Sequence, residues 1–360
     1  MSLNILLFDD INAYREEVLA ALRNALGEKG IVKAFNARGA TSKSQTFEDM
    51  LAADLREEPN APMDLIVADR DLSAYQPHYR GLSESTVRRA ADLIGIPECG
   101  YARGERDDDD EYVKRGDQRE SCIRLSRKPN DATFAKRVVA ICEGFIEITT
   151  KLAQITDTTV RKSPGRILAE VLGKPEYAEK ISLYASGDQS RLAPLAEVRK
   201  SVSPEERNRR LACVLGYWLW DSVLRFPGVT VNEVAASSHL NIRLDTFRQQ
   251  AVKELFASAL YVGPFSAARL GALWWRGMLD DLVSDSGFSD GRTFAEDKLA
   301  RSVPASQCCE EPSKPAGYYC FLSEQPVSLE NSKPGLPWFP RGADLTRVSR
   351  SRYEEDEPWL

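Results

Sequence analysis

The chain has 360 residues and a net charge of −6 at pH 7, with 42% hydrophobic and 28% charged residues. This composition is typical of a folded protein and excludes a disordered chain, while the length allows two domains. No segment reaches the about 18 consecutive apolar residues of a membrane-spanning helix, and the acidic balance argues against broad, nonspecific binding to nucleic acid.

The N-terminus and the cysteines both indicate a cytoplasmic protein. The first apolar run, LNILLF, has no basic residue before it and two acids directly after it, which is unlike a secretory signal peptide. The chain has 7 cysteines, an odd number without the spacing of a disulfide framework, and free thiols suit a reducing compartment.

The first 150 residues alternate short apolar runs with segments of helical period. Such alternation predicts a parallel sheet with helices on both faces, here a flavodoxin-like sheet of five strands in the order 2-1-3-4-5. The predicted strands are 4–8, 31–35, 64–69, 96–102 and 121–126, and the predicted helices are 14–26, 47–55, 85–95 and a long one from Asp131 to about 155.

The pattern changes after residue 150. Residues 151–284 contain several helical segments and no alternating strand pattern, which predicts an all-helical domain. Residues 285–307 are rich in Ser, Asp and Gly and resemble a linker. Residues 308–360 are dense in Pro, Gly and aromatic residues without helical period, and we expect an irregular C-terminal segment that packs on a domain or a partner.

Three acidic residues follow two predicted strands. Asp9 and Asp10 come directly after the first strand and Asp69 ends the third. Because strands one and three are neighbours in the predicted order, these carboxylates should meet at the carboxyl edge of the sheet. Three carboxylates repel one another unless a cation lies between them, and Mg²⁺ prefers such oxygen ligands. Lys128, after the fifth strand, could balance the remaining charge.

These motifs resemble the receiver domain of two-component response regulators. ILLFDD is similar to the first strand of that family with its acidic pair, DLIVADRDLS to the third strand with the phosphoacceptor aspartate, and LSRKPNDATFAKRV to the fifth strand, the lysine-proline pair and the last helix. The resemblance covers about the first 150 residues. The remainder of the chain resembles no family that we recognise.

The resemblance implies a role for each acidic residue. Asp9, Asp10 and Asp69 would bind Mg²⁺, with the backbone carbonyl of Asp71 as a further ligand. Asp69 would accept a phosphoryl group from a histidine kinase, and Lys128 would contact the phosphoryl oxygens. A metal and a cation at these places neutralise charge on the transferring group, as phosphoryl transfer requires.

The chain departs from the family at two switch positions. Ala102, between Tyr101 and Arg103, stands where the family has Thr or Ser, and Leu125 stands where it has an aromatic residue. The segment 104–120, expected to form the fourth helix, has few apolar residues with which to bury a helical face. These departures describe an atypical receiver, or pseudo-receiver.

Other readings of the same residues remain open. Asp9 and Asp10 could cap the helix that begins near Tyr14. Asp69 and Asp71 could instead form the D-x-D motif of a metal-dependent phosphohydrolase of the haloacid-dehalogenase type. Residues 231–255 faintly resemble a helix-turn-helix, although two packed helices explain them more simply. Cys308, Cys309 and Cys320 have poor spacing for zinc.

We therefore expect a bacterial signalling or adaptor protein with an atypical receiver-like domain. The sequence leaves open whether Asp69 is phosphorylated or the domain is a phosphorylation-independent module for protein interaction. The first alternative is a DNA-binding transcriptional regulator, with nucleic acid as the less favoured partner, and the second is a Mg²⁺-dependent phosphohydrolase that uses the same acids. A non-enzymatic role and no membrane contact are the favoured expectations.

Overall fold

The computed structural model describes residues 2–37, 46–57, 59–73, 75, 79, 81–103, 123–127, 132–185, 192–198 and 203–356. These residues form two units. The first takes its described residues from 2–156 and 192–217, and the second from 157–185 and 218–356. Within these ranges, no helix is both long and apolar enough to cross a membrane.

The first unit contains a five-stranded, all-parallel sheet in the order β2-β1-β3-β4-β5, as the sequence predicts. Both faces of the central strands are covered, so β3 (LIVAD) is buried at every position. The strands are β1 Leu3–Phe8, β2 Gly30–Ala34, β3 Leu65–Asp69, β4 Glu98–Arg103 and β5 Ile123–Arg127.

Helices follow β1, β2, β3 and β5, and local signals mark their ends. The hydroxyls of Thr46 and Ser83 accept hydrogen bonds from backbone N–H groups in the first turns of their helices, and Gly95 ends a helix at φ 69°. The first helix packs against the fourth, and the second against the third. The helices are α1 Asn12–Leu26, α2 Phe47–Arg56, α3 Glu84–Ile94 and α4 Ala132–Gln154.

A later part of the chain also belongs to the first unit. It includes the short helix α7 Leu195–Val198 and most of α8 Pro204–Trp218, which the sequence assigned to a separate helical domain. Gly216 permits the close approach, because a Cβ there would lie 2.3 Å from the Phe145 ring in α4. Residues 192–217 therefore lie with the first unit, because α8 packs on elements far away in sequence.

The second unit contains a helical region, as expected, together with a two-stranded sheet and, nearer its C-terminus, a four-stranded one. The strands β6 Thr230–Asn232 and β7 Leu273–Trp275 pair in antiparallel fashion. Three residues are too few to show strand alternation, and β7 lies inside a segment of helical appearance. The helices are α5 Pro164–Val171, α6 Ala178–Ala185, α9 Glu233–His239, α10 Leu244–Phe247, α11 Gln250–Leu255, α12 Arg276–Asp285, α13 Gly291–Leu299 and α14 Arg350–Asp356, and a π-helical turn covers Leu219–Val223.

The region after residue 284 is more ordered than its composition suggests. The expected linker 285–307 contains α13, which Asp290 caps and which buries Phe294. The expected irregular segment 308–360 forms a four-stranded sheet in the order β10-β11-β8-β9. Strands of two to four residues leave no periodic signal, which is why the sequence did not reveal them. They are β8 Tyr318–Cys320, β9 Gln325–Val327, β10 Ser332–Lys333 and β11 Thr346–Ser349.

Candidate functional site at the carboxyl edge of the sheet

The predicted acids lie at the carboxyl ends of neighbouring strands. Asp9 directly follows β1 and is fully buried, while Asp69 ends β3 and is only 6% exposed. Strand β4 lies on the other side of β3, with Tyr101 in register with Asp69. The parallel sheet thus places Asp9, Asp69 and Tyr101 on three adjacent strands at the same edge.

Tyr101 provides a partner for the buried carboxylate of Asp9. Its O–H donates to Asp9 Oδ2 over 2.6 Å, reaching from β4 past β3 to the end of β1. The N–H of Ile11 donates to Asp9 Oδ1 over 3.0 Å. Short hydrogen bonds to a carboxylate are among the stronger protein hydrogen bonds. A hydroxyl and an amide therefore stabilise the carboxylate that was expected to need a metal ion.

A second tyrosine covers the same edge. The O–H of Tyr75 donates to the backbone carbonyl of Asp9 over 3.4 Å. Burial raises the pKa of Tyr75 to about 12, with Arg15 acting in the opposite direction and the charges of Asp9 and Asp10 adding to the rise. Tyr75 is therefore a neutral donor at physiological pH.

The other predicted residues lie in different surroundings. Asp10 is half-buried, and Asp71 is exposed, with its Oδ1 accepting a hydrogen bond from the N–H of Ser73 over 3.1 Å. Ala102 is half-buried, and Leu125 is buried in register with Tyr101. Lys128 and the segment 104–120 lie outside the described residues.

The edge fits Mg²⁺ poorly. Both oxygens of Asp9 already accept hydrogen bonds from protein donors, and the residue has no exposed surface for the water ligands that Mg²⁺ usually retains. Across the described part of the chain, no group of three or more His, Cys, Asp or Glu side chains is arranged to hold a metal ion. The ligand set of Asp9, Asp10, Asp69 and the Asp71 carbonyl stays a prediction.

Neither Asp9 nor Asp10 caps the helix that follows β1. Helix α1 begins at Asn12 after Ile11, and no side chain caps it. Asp9 instead accepts from the N–H of Ile11, just before the helix. Its main role in the structure is to join β1 to β4 through Tyr101.

A charged cluster on the same sheet was not predicted. Arg88 of α3 donates to Glu84 of the same helix over 2.7 Å and to Glu98 of β4 over 3.3 Å. Arg124 of β5 donates to both carboxylate oxygens of Glu84 over 3.0 and 3.3 Å. Glu98 is fully buried, and its Oε1 has no hydrogen-bond partner among the described residues. The only sequence signal was a charged residue at the start of an apolar strand.

The charge state of Glu98 depends on this cluster. Burial raises its pKa from 4.5 to about 7, Arg88 lowers it and the charge of Glu84 raises it. The Tyr217 hydroxyl of α8 accepts from the backbone N–H of Glu98 over 2.6 Å and donates to its carbonyl over 2.9 Å. Burial, and then the charge of Glu98, raise the pKa of Tyr217, so this hydroxyl stays neutral.

The segment with helix-turn-helix character has a defined turn. Helices α9 and α10 are joined by residues 240–243, in which Asn241 adopts a left-handed φ of 56°. Asparagine tolerates this conformation better than most residues, so it takes the place that glycine often occupies. Glu233 binds both Arg248 over 2.7 Å and Lys253 over 2.6 Å. His239 Nε2 contacts Asp280 Oδ1 over 2.6 Å.

Comparison with known proteins identified no relative, since no protein-family model, curated protein or solved structure matches the chain. The functional interpretation therefore depends on the chain's own residues and geometry.

Proposed function

We propose that the first unit is a receiver-like module of a signalling or adaptor protein that acts through protein contacts and does not accept a phosphoryl group on Asp69. The observation that supports this choice is the hydrogen bond from Tyr101 to Asp9 over 2.6 Å. The strand order and the position of the acids fit a receiver, while the partners of Asp9 do not fit its chemistry.

Phosphoryl transfer to a carboxylate depends on charge neutralisation. A metal ion and a cationic side chain normally neutralise the negative charge on the equatorial oxygens of the transferring phosphoryl group. Here the Tyr101 hydroxyl donates to one oxygen of Asp9, and the N–H of Ile11 donates to the other. The same contacts argue against the Mg²⁺-dependent phosphohydrolase, which would need a metal at the same acids.

The proposed partners are proteins, and the proposed location is the cytoplasm. Free cysteines at 99, 142, 213, 308, 309 and 320 suit a reducing compartment. In this proposal a histidine kinase could bind the module without phosphorylating it. The contact surface would work as a fixed recognition element, because the edge of the sheet is held by protein hydrogen bonds in place of a reversible phosphoryl group.

Acetyl phosphate with Mg²⁺ tests this proposal on the full chain. Intact mass spectrometry of the wild type should show no phosphoryl adduct, and Asp69→Asn should give the same spectrum. An adduct on the wild type that disappears in Asp69→Asn would contradict the proposal. A known active receiver, treated in parallel, shows that the reagent is competent.

The turn at Asn241 favours DNA binding by residues 231–255 as a second candidate function. A helix, a turn of four residues and a second helix are the parts of a DNA-binding helix-turn-helix, in which the second helix enters the major groove. Arg243 and Arg248 lie directly before and after the second helix, Leu244–Phe247, and both are exposed. Each also contacts an acidic side chain.

A gel-shift assay over a salt series tests DNA binding. If the segment binds DNA, affinity should fall steeply with salt, and Arg248→Gln should lower the salt slope by about 1. Arg207→Gln, which changes an arginine outside the segment, is the matched control. Absence of a shift at low salt removes this candidate.

A further inference from the structure

A small groove in the second unit combines apolar walls with an arginine. It has a volume of about 240 Å³ and is lined by residues between 334 and 347, from the loop before β11 and from β11 itself. None of the proposed functions uses this groove. Its lining includes the apolar residues Leu336, Phe339, Pro340 and Ala343 and the charged residues Asp344 and Arg347.

Two tight turns hold the apolar wall in place. The N–H of Phe339 donates to the carbonyl of Leu336 over 2.8 Å, and the N–H of Ala343 donates to the carbonyl of Pro340 over 3.0 Å. The Phe339 ring also packs on the Phe226 ring, with 5.3 Å between the ring centroids. Because this wall is already ordered, a ligand that binds to it loses little affinity to the ordering of side chains.

Arg347 lies in the groove without an acidic partner. Its Nε donates to Ser332 Oγ over 2.6 Å, its Nη2 donates to the Ser332 carbonyl over 3.4 Å, and its guanidinium carbon lies 5.0 Å from the centroid of the Tyr318 ring. Among the described residues, no carboxylate forms an ion pair with Arg347, in contrast to Arg88 and Arg124 of the first unit. Burial lowers the pKa of Arg347 and Tyr318 raises it, but a guanidinium stays charged at physiological pH.

The acidic residue in the groove lining, Asp344, has a different partner. Its Oδ1 accepts a hydrogen bond from Arg276 Nη1 over 2.7 Å. This ion pair offsets the negative charge of Asp344, so that the groove retains the positive charge of Arg347. The groove therefore presents one unpaired cation beside an apolar wall.

We propose that this groove binds a small organic acid with a single carboxylate and a compact apolar body. The carboxylate accepts hydrogen bonds from the Arg347 N–H groups that Ser332 does not use, since the planar guanidinium matches a carboxylate in geometry as well as in charge. The apolar body contacts Leu336 and Phe339. An apolar cavity of about 150 Å³ accommodates benzene, so a volume of about 240 Å³ has room for one ring and a carboxylate.

Isothermal calorimetry of the full chain with phenylacetate tests the proposal. We expect saturable binding to a single site. Phenylacetamide, which has the same ring but no charge, should bind at least about ten-fold more weakly, because it cannot form the charged pair with Arg347. Equal affinities for the acid and the amide would overturn the proposal, as would the absence of saturable phenylacetate binding at millimolar concentration.

Two further ligands test the shape and the source of the acid. Inorganic phosphate should bind more weakly than phenylacetate, because it leaves the apolar wall uncovered. An acetylated tripeptide that ends in phenylalanine should also bind more weakly, since the groove is smaller than the about 300–1,000 Å³ of pockets for larger ligands. Tighter binding of phosphate, or of the tripeptide as a mimic of a protein C-terminus, would overturn the assignment to a free acid.

Three variants locate the binding site. Arg347→Gln should weaken phenylacetate binding at least about ten-fold, while Arg341→Gln, which changes an exposed arginine in the same loop, should leave it unchanged. Asp344→Asn should bind phenylacetate at least as tightly as the wild type, because it removes a negative charge from the groove. Unchanged affinity in Arg347→Gln would overturn the proposal. The comparison of acid with amide on the wild type decides the matter even if Arg347→Gln fails to fold.

Discussion

The two faces of strand β4 stabilise buried acids in different ways. Side chains alternate along a strand, so Glu98 and Gly100 lie on the face toward α3, while Tyr101 lies on the other face against Phe134 of α4. On the first face, two guanidinium groups neutralise two carboxylates. On the second face, the Tyr101 hydroxyl donates a hydrogen bond to the Asp9 carboxylate.

This difference separates a structural cluster from an edge at which a metal site was expected. A guanidinium–carboxylate cluster needs no ligand, because its opposite charges lie within the same unit. The Asp9 edge has the acids of a cation site, but its donors come from the protein. Substitutions can therefore disturb one face and leave the other intact.

The largest effect should come from Arg88→Met. This change leaves Glu84 and Glu98 buried with less compensation, and breaking a buried ion pair costs about 3–5 kcal/mol. Both side chains are at most 8% exposed, so solvent screens the interaction little. Urea unfolding measures the loss. The neighbouring Arg89→Met is the control, since Arg89 is 65% exposed and should change stability by less than about 0.5 kcal/mol. Equal losses of stability in Arg88→Met and Arg89→Met would contradict a stabilising role for the buried ion pairs of Arg88.

The same face should respond to pH through Glu98. Its pKa is about 7 in the folded chain against a usual 4.5, so the folded state binds the proton more tightly. The stability contributed by protonated Glu98 is full below pH 4.5 and is lost as the pH rises toward 7. In the wild type, the free energy of unfolding should fall by an amount on the order of 3 kcal/mol across this pH window, and Glu98→Gln should abolish that fall.

Unfolding free energies of the wild type and Glu98→Gln at pH 5 and pH 8 check this prediction. The difference between the two proteins isolates the group from other titrating residues. A wild type that loses no more stability than the variant over this range would show that Glu98 is already ionised at pH 5.

A smaller loss is expected on the other face from Tyr101→Phe. The substitution removes one hydrogen bond to a buried carboxylate, which contributes about 2 kcal/mol. Tyr75→Phe is the matched control, because its hydroxyl makes a longer bond of 3.4 Å to the Asp9 backbone and not to the carboxylate. Thermal or urea unfolding should therefore rank Tyr101→Phe as the more destabilised. The opposite order would mean that the Asp9 carboxylate does not depend on Tyr101.

The sequence predicted the sheet because buried parallel strands leave long apolar runs. NILLF and DLIVAD are such runs, and both became strands in the predicted order. The site was only partly predictable. The positions of Asp9 and Asp69 follow from strand ends, but the contact from Tyr101 depends on the pairing register of β4, which the sequence does not show. Glu98 was missed because its partners come from α3, and its backbone contact from α8.

Mg²⁺ and beryllofluoride binding, followed by amide NMR of the full chain, tests the central claim most directly. We expect the signals of Asp9, Ile11, Asp69 and Tyr101 to stay in place in the wild type at millimolar Mg²⁺, and Tyr75→Phe to behave in the same way. Tyr101→Phe frees one oxygen of Asp9 and should show larger shifts at these residues. Saturable shifts in the wild type, centred on Asp9 and Asp69, would contradict the claim that Tyr101 has replaced the metal at this edge.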